Sequence, residues 1–184
     1  MTDIELTDFQ IGKPKRNTTI WFSILASIMF LPFKIFIFFI PFKKNYTEVH
    51  ENWTIWIESG NREIHRKIFA ETGFDGVIKF YKLKFKNNTL NDLVDKRCFG
   101  TFFFETNENI FLREFKSPNQ WPKSFLTVIN KSDNTINRIK IISASWTDWV
   151  IESINDKEFN IITHPADDYT KGIKVTTPNN VYNL

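Results

Sequence analysis

The chain has one cysteine in 184 residues, with only six glycines and seven prolines. A single cysteine excludes an intramolecular disulfide and a zinc site built from several cysteines. The low glycine and proline content excludes collagen-like and Pro/Gly-rich disordered chains. The net charge is only +3, so nucleic acid is not an expected partner. With 184 residues, we expect one domain with an appendage and not two full domains.

Sequence motifs of the common enzyme classes are also missing. There is no Gly-x-Ser-x-Gly, P-loop or dinucleotide-binding motif. The histidines, His50, His65 and His164, do not have the spacing of metal ligands. We interpret Cys98 as a small residue entering a strand. We therefore expect no enzyme activity, no metal ion and no cofactor.

An apolar run over residues 20–42 is the clearest positive feature. Fifteen of its 23 residues are Ile, Leu or Phe. As a helix it would be about 34 Å long, which exceeds the hydrocarbon core of about 30 Å. The sequence therefore predicts three parts, a polar tail over 1–19, a transmembrane segment over 20–42 and a folded domain over 45–184. The expected location is the membrane, with the lipid bilayer as a partner.

The course of this segment has several interpretations. A single span would be kinked at Pro32, which removes one backbone hydrogen bond. A re-entrant hairpin would turn at residues 32–34, and its two arms are too short to cross separately. A signal sequence and a buried core helix are the remaining alternatives. Lys34 opposes insertion by roughly 3 kcal/mol, which snorkelling would reduce. Basic residues flank both ends, so the side on which the domain lies is left open.

After residue 45 the apolar stretches become short and are separated by turn residues, which is typical of strands. The clearest alternation covers residues 81–86, and Ile78 and Phe80 in the opposite phase indicate a bulge near Phe80. The other candidate strands cover 53–58, 99–104, 110–115, 124–130, 136–145, 148–154, 158–163 and 171–176. Residues 61–72 are ambiguous between helix and strand. These segments predict a mainly β domain, an antiparallel up-and-down barrel of about eight strands.

The C-terminal part resembles the lipocalins, especially the bacterial and apolipoprotein-D type. In that family a Thr-Asp-Tyr element precedes a strand, a turn and a second strand, and Thr147–Asp148–Trp149 stands at this element here. Pro165 and Asp168–Tyr169 correspond to the connection before the last strand. Glu51 stands where the family has the glycine of its Gly-x-Trp motif, with Trp53 as the tryptophan. The resemblance implies an eight-stranded barrel with a ligand cup. Together with the apolar run over 20–42, it predicts a membrane-anchored protein that binds a small ligand, a lipid or another amphiphile.

A basic cluster after the first predicted strand supplies candidate ligand contacts. Several cationic donors close together favour an anion site for a phosphate or lipid headgroup, and a solvated basic face is the alternative. Its members are Arg62, His65, Arg66 and Lys67. Candidate aromatic contacts are Trp53, Tyr81 and Trp149, although tryptophans at 53, 56, 146 and 149 are also typical of a packed core.

The layout of a membrane segment followed by a small β domain is similar to that of certain effectors of bacterial anti-phage signalling systems. In this alternative the domain binds a cyclic nucleotide and forms a homo-oligomer that disrupts the inner membrane. Arg62, Arg66 and Lys67 would contact the phosphates, and Trp53 or Tyr81 would stack on the base. Lys34 would line a hydrated defect in the assembled membrane part. A second alternative is a structural or assembly protein that uses the surface of the barrel.

Overall fold

A computed structural model of the chain describes residues 4–13, 46–59, 62–72, 78–86, 90–142, 147–165, 169–179 and 181. The predicted membrane segment over 20–42, with Pro32 and Lys34, lies outside the described residues. Among the described residues, no helix has the length and apolar character needed to cross a bilayer.

The described chain is mainly β, as predicted. Its strands pair antiparallel throughout. The elements in chain order are β1 (Glu5–Gly12), β2 (Thr47–Glu48), β3 (Thr54–Ser59), β4 (Arg62–Thr72), β5 (Ile78–Phe85), the short helix α1 (Asn91–Val94), β6 (Cys98–Glu105), β7 (Asn109–Phe115), β8 (Ser124–Asn130), β9 (Ile136–Ile142), β10 (Val150–Ile154), β11 (Glu158–His164) and β12 (Tyr169–Thr176).

All nine predicted strands are confirmed, with boundaries that differ by a few residues. The ambiguous segment over 61–72 is the long strand β4, and its partner strands β3 and β5 supply the pairing that decides the matter. Two strands were not predicted, β1 and β2. β1 lies within the stretch predicted to be a polar tail, and it pairs with β12 along its whole length.

The predicted closed barrel is wrong for the described part of the chain. Pairing there produces two sheets. A four-stranded sheet has the order β1-β12-β11-β10. A larger sheet of eight strands has the order β2-β4-β5-β6-β7-β8-β9, with β3 also paired to β4.

Burial on both faces of the larger sheet explains why it needs a second layer. All seven residues of β7 are buried, although alternate side chains of a strand point to opposite faces. Phe111 belongs to a cluster that includes Phe159 and Ile173 of the small sheet. Ile110 belongs to another cluster that includes Val94 of α1. In a closed barrel the outer face of each strand is exposed to solvent, whereas both faces of β7 are buried here. The small sheet covers one of these faces, so two packed sheets bury apolar side chains that a barrel would expose.

We call the two faces of the larger sheet the sheet-side face and the helix-side face. The sheet-side face carries Phe111 and Arg113, and it packs on the four-stranded sheet. The helix-side face carries Ile110, Leu112 and Glu114, and α1 packs on it. Paired residues of neighbouring strands share a face, so the register assigns every position of the larger sheet to one face or the other.

A bulge lies next to Phe80, but on the neighbouring strand. Ile68 pairs with Tyr81 and Ala70 pairs with Phe80, so Phe69 is the extra residue of β4. Phe80 and Tyr81 are both buried, on opposite faces of the sheet. The phase change in β5 therefore reflects burial on both faces.

Gly172 of β12 pairs with Phe9 of β1 and leaves room for its ring, and we predict that Gly172→Ala weakens the domain. An added Cβ would lie 2.5 Å from Cζ of Phe9 and 2.7 Å from the carbonyl oxygen of Ile161, so the Phe9 ring and β1 must move. We expect the free energy of unfolding to fall by about 1–3 kcal/mol, the range for overpacked sites. Urea unfolding of the full chain in detergent micelles measures this loss.

Two further variants test the cause of that loss. Adding Phe9→Ala to the Gly172→Ala variant should restore part of the stability, because the close contact with the Phe9 ring disappears and only that with the Ile161 carbonyl oxygen is left. Lys171→Ala, at the exposed neighbouring position, should have little effect. A loss as large for Lys171→Ala as for Gly172→Ala would contradict the explanation.

Candidate functional site

A guanidinium surrounded by aromatic rings lies on the helix-side face of the larger sheet. Arg66 pairs with Leu83, and Tyr81 pairs with Ile68, so Arg66 and Tyr81 share that face. Cζ of Arg66 lies 4.8 Å from the ring centroid of Tyr81 and 5.0 Å from that of Trp56. These distances are within the range of cation–π contacts. We call Trp56, Arg66 and Tyr81 the Arg66 site.

The two rings of the Arg66 site are held by their neighbours. Trp56 and Tyr81 are nearly parallel, with an interplanar angle of 8° and centroids 6.4 Å apart. Phe103 meets Trp56 edge-on at 5.4 Å. Tyr81 is buried, at 5% exposure, whereas Trp56 is half-buried. Tyr81 is thus anchored in the core, and Trp56 is the more accessible of the two rings.

Among the residues that the structure describes, no carboxylate pairs with Arg66. Within the described part of the chain, its guanidinium has ring contacts but neither a hydrogen bond nor an ion pair. A guanidinium has five N–H donors in a planar fork that matches carboxylate and phosphate oxygens. Arg66 is half-buried and has no carboxylate partner in the described part of the chain, so it is suited to bind an anion.

Tyr81 adds a neutral hydroxyl to the site. Burial raises the pKa of Tyr81 above its usual value, and the nearby positive charge of Arg66 opposes this shift. The phenol therefore keeps its proton at neutral pH and is able to donate a hydrogen bond. An anion held by Arg66 would meet a donor and two aromatic faces together.

Two other members of the predicted basic cluster, His65 and Lys67, lie on the opposite face of β4, because alternate residues of a strand point in opposite directions. Lys67 Nζ lies 5.0 Å from the ring centroid of Trp53, which is 39% exposed. His65 Nε2 lies 2.5 Å from Oε1 of Glu63. The side chain of Arg62 lies outside the described residues. The structure thus brings Arg66 and Tyr81 together and separates them from Trp53 and Lys67.

Trp149 lies between the two sheets, away from the Arg66 site. It is 4% exposed and packs in the cluster that joins the sheets, with its ring centroid 5.3 Å from that of Phe102. Cζ of Arg113 lies 5.0 Å from the Trp149 ring. Trp149 is therefore a core residue, the alternative that the sequence had left open for it.

Arg113 is a buried cation that the sequence analysis missed. It is 3% exposed, and it donates hydrogen bonds to the carbonyl oxygen of Thr147 at 2.7 Å and to Oγ of Ser124 at 3.2 Å. Burial lowers the pKa of Arg113 to about 10, and the charge of Asp148 opposes this shift. Arg113 therefore stays charged at neutral pH and fastens the segment before β10 to the larger sheet.

Glu114, the next residue of β7, is buried on the helix-side face and was also missed. Its carboxylate has 0% exposure and accepts hydrogen bonds from Nη1 of Arg97 at 2.9 Å and Nη2 of Arg138 at 2.6 Å. Thr127 Oγ1 donates a third, at 2.7 Å. The sequence feature that could have revealed Arg113 and Glu114 is a pair of charged residues inside the otherwise apolar strand NIFLREF. Since these groups satisfy one another, we assign the cluster a structural role.

A second concave surface lies where β9 faces the small sheet. This groove has a volume of about 480 Å³ and is lined by Lys140, His164, Tyr169 and Lys171 among others. Lys140 Nζ pairs with Oδ2 of Asp8 at 2.8 Å. Lys171 is exposed to solvent, so its charge is better screened than that of the half-buried Arg66. The Arg66 site is therefore the stronger candidate for an anion.

Cys98 is buried at the start of β6, at 4% exposure. Burial raises the pKa of its thiol to about 12, and the positive charge of Lys82 opposes this shift only in part. The thiolate is the reactive form of cysteine, so the thiol is inert at neutral pH. This agrees with its interpretation as a small residue entering a strand.

Comparison with known proteins finds no matching family model, no matching curated protein and no matching solved structure. The lipocalin resemblance of the C-terminal part therefore stays a prediction. The chemistry of the Arg66 site is then the best guide to function.

Proposed function

We propose that this chain is a membrane-anchored β domain that binds a small anionic ligand at Arg66. The observation that carries the proposal is a half-buried guanidinium that contacts two aromatic rings and has no carboxylate partner among the described residues. The ligand has an anionic group for the guanidinium and a flat or apolar part for Trp56 and Tyr81. The membrane anchor is the apolar run over 20–42.

Two classes of small molecule have this chemistry. An anionic lipid has a phosphate next to acyl chains, and a cyclic nucleotide has a phosphate next to a base that stacks on aromatic rings. The first source corresponds to the amphiphile binder and the second to the anti-phage effector that assembles in the membrane. Both need the same cation, so Arg66 is the residue to test.

Arg66→Met should weaken ligand binding by about 10- to 100-fold, the value of charge-assisted hydrogen bonds to one phosphate. The side chain keeps its length and its apolar contacts with the rings, so stability should change little. The full chain in phosphatidylcholine nanodiscs is titrated with cyclic di-AMP, with cyclic AMP and with short-chain phosphatidic acid. Tryptophan fluorescence reports binding, because Trp56 is part of the site.

Matched variants make this test specific. Lys84→Met removes an exposed cation from the neighbouring strand β5 and should leave binding unchanged. Arg66→Lys keeps the charge but loses the fork, so it should bind with intermediate affinity. Saturable binding of a nucleotide favours the effector, and binding of phosphatidic acid alone favours the amphiphile binder. Equal affinity of Arg66→Met and the parent, or no binding of any of the three probes, would refute the proposal.

A further inference from the structure

Part of the sheet-side face lies beyond the contact between the two sheets. In the described chain, the cluster between the sheets contains residues of β6, β7 and β8 but none of β3, β4 or β5. His65 precedes Arg66 on β4, so its side chain points to the sheet-side face. Ile55 and Lys84 pair with His65 from either side and form a row with it across β3, β4 and β5. Ile55 is 58% exposed and Lys84 is exposed as well, so this row lies at the surface.

A second row lies next to the first. Lys67 of β4 pairs with Lys82 of β5. Lys67 Nζ lies 5.0 Å from the ring centroid of Trp53, which is 39% exposed and immediately precedes β3. The two rows form one surface, which we call the lysine patch. Its members are Trp53, Ile55, His65, Lys67, Lys82 and Lys84.

The lysine patch is positively charged, because its members include lysines but no carboxylate. Lys82 Nζ donates a hydrogen bond to the carbonyl oxygen of Asp95 at 2.6 Å, which does not neutralise its charge. Among the described residues, no carboxylate forms an ion pair with any of the patch lysines. Acidic residues begin in the adjoining row, where Glu58 pairs with Glu63, and Lys86 binds the Glu63 carboxylate at 2.7 Å. The positive surface therefore ends at that row.

The composition of the lysine patch favours a lipid surface as its partner. Tryptophan is enriched where a membrane meets water, and lysine keeps its ammonium at the headgroups while its stem lies along apolar groups. Lysine is depleted at protein–protein interfaces, which disfavours a protein partner. Nucleic-acid recognition makes heavy use of the arginine fork, and the patch has no arginine. An anionic bilayer matches the lysines by charge, and its interfacial region accepts Trp53 and Ile55.

We infer that the lysine patch docks on the surface of an anionic lipid bilayer, with Trp53 and Ile55 in the interface and the lysines at the headgroups. Each lysine close to such a surface should strengthen the association about fivefold. Arg66 points to the opposite face of β4, so docking leaves the Arg66 site on the side away from the bilayer. The inference goes beyond the proposed function, because it needs neither the Arg66 site nor the apolar run.

A fluorescent probe at Ile55 tests this docking on the full chain. Ile55→Cys is labelled with the environment-sensitive dye NBD, and the parent is the labelling control, because its single cysteine, Cys98, is buried. The labelled chain is reconstituted with vesicles of phosphatidylcholine, alone or mixed with phosphatidylglycerol. In the anionic vesicles we expect the emission to shift to the blue and to be quenched by brominated lipids. Leu93→Cys, on α1 and 44% exposed, should show neither effect.

Charge reversal tests whether the lysines cause the response. Lys67→Glu together with Lys84→Glu, in the Ile55→Cys background, should abolish the blue shift. Lys96→Glu together with Lys157→Glu changes the net charge equally at exposed positions outside the patch, and the shift should persist. Equal emission in the two vesicle compositions would overturn the inference. An equal loss of the shift in both pairs of variants would overturn it as well, because the patch would then not differ from the rest of the surface.

Three further results separate this inference from the proposed function. Retention of the chain in vesicles after alkaline carbonate, without a response at Ile55, overturns the inference alone. Release by carbonate, with a response at Ile55 before it, overturns the anchoring and supports docking through the patch. A response to a single-stranded DNA oligonucleotide, and not to phosphatidylglycerol, would assign the patch to nucleic acid and overturn the inference. Ligand titration of Arg66→Met is independent of all three results.

Discussion

Phe159→Ala should lower the free energy of unfolding by about 3–5 kcal/mol, the cost of truncating a fully buried phenylalanine. Phe159 has 0% exposure and lies on β11 of the small sheet. Its ring centroid is 4.5 Å from that of Phe104 and 5.0 Å from that of Phe111, both of the larger sheet. The ring therefore joins the two sheets, and its removal leaves a cavity at their interface.

Urea unfolding of the full chain in detergent micelles, followed by tryptophan fluorescence, measures this loss. A domain of this size is stable by about 5–15 kcal/mol, so the variant should unfold at a clearly lower urea concentration. Ile55→Ala is the control, because Ile55 is 58% exposed and its loss should cost less than about 0.5 kcal/mol. A similar small loss for Phe159→Ala would contradict packing of the two sheets through this ring.

Replacing both Arg97 and Arg138 by Met should also cost about 3–5 kcal/mol, because the carboxylate of Glu114 would be left buried without a cation. Of the partners that the described residues supply, Thr127 alone would still donate a hydrogen bond to this carboxylate. Either arginine alone should cost less, since the other still pairs with the carboxylate. Unfolding in urea under the same conditions gives the three values.

A third substitution identifies the cause of this loss. Glu114→Leu is added to the double variant in which Arg97 and Arg138 are both Met. It removes the buried carboxylate that has lost its cations, and it should recover much of the lost stability. Lys86→Met removes an exposed lysine that pairs with Glu63, which also contacts His65, and it should change stability by less than about 1 kcal/mol. Further destabilisation by Glu114→Leu would show that the loss comes from packing and not from an unpaired charge.

The candidate site was half predictable from the sequence. Arg66 and Tyr81 were both named, and they lie together because the register of β4 and β5 places them on one face. Lys67 was grouped with Arg66 by proximity in the chain. A strand separates neighbours onto opposite faces, so this grouping depended on whether residues 61–72 form a helix or a strand. Only the pairing of β4 with its neighbours decides that. For Trp56 the sequence left a core position open, and the structure shows it both packed against a core cluster and in contact with Arg66.

Local alternation of apolar and polar residues was enough to place nine strands, since side-chain period is a property of each segment alone. It did not reveal β1, whose residues are mostly exposed and whose stability comes from β12 at the other end of the chain. It also did not distinguish a barrel from two packed sheets, because that depends on which strands form edges and on what covers each face. The sequence thus determines the strands, the apolar run and the abundance of aromatic residues. Long-range pairing alone decides the two-sheet architecture, the surroundings of Arg66 and the attachment of β1.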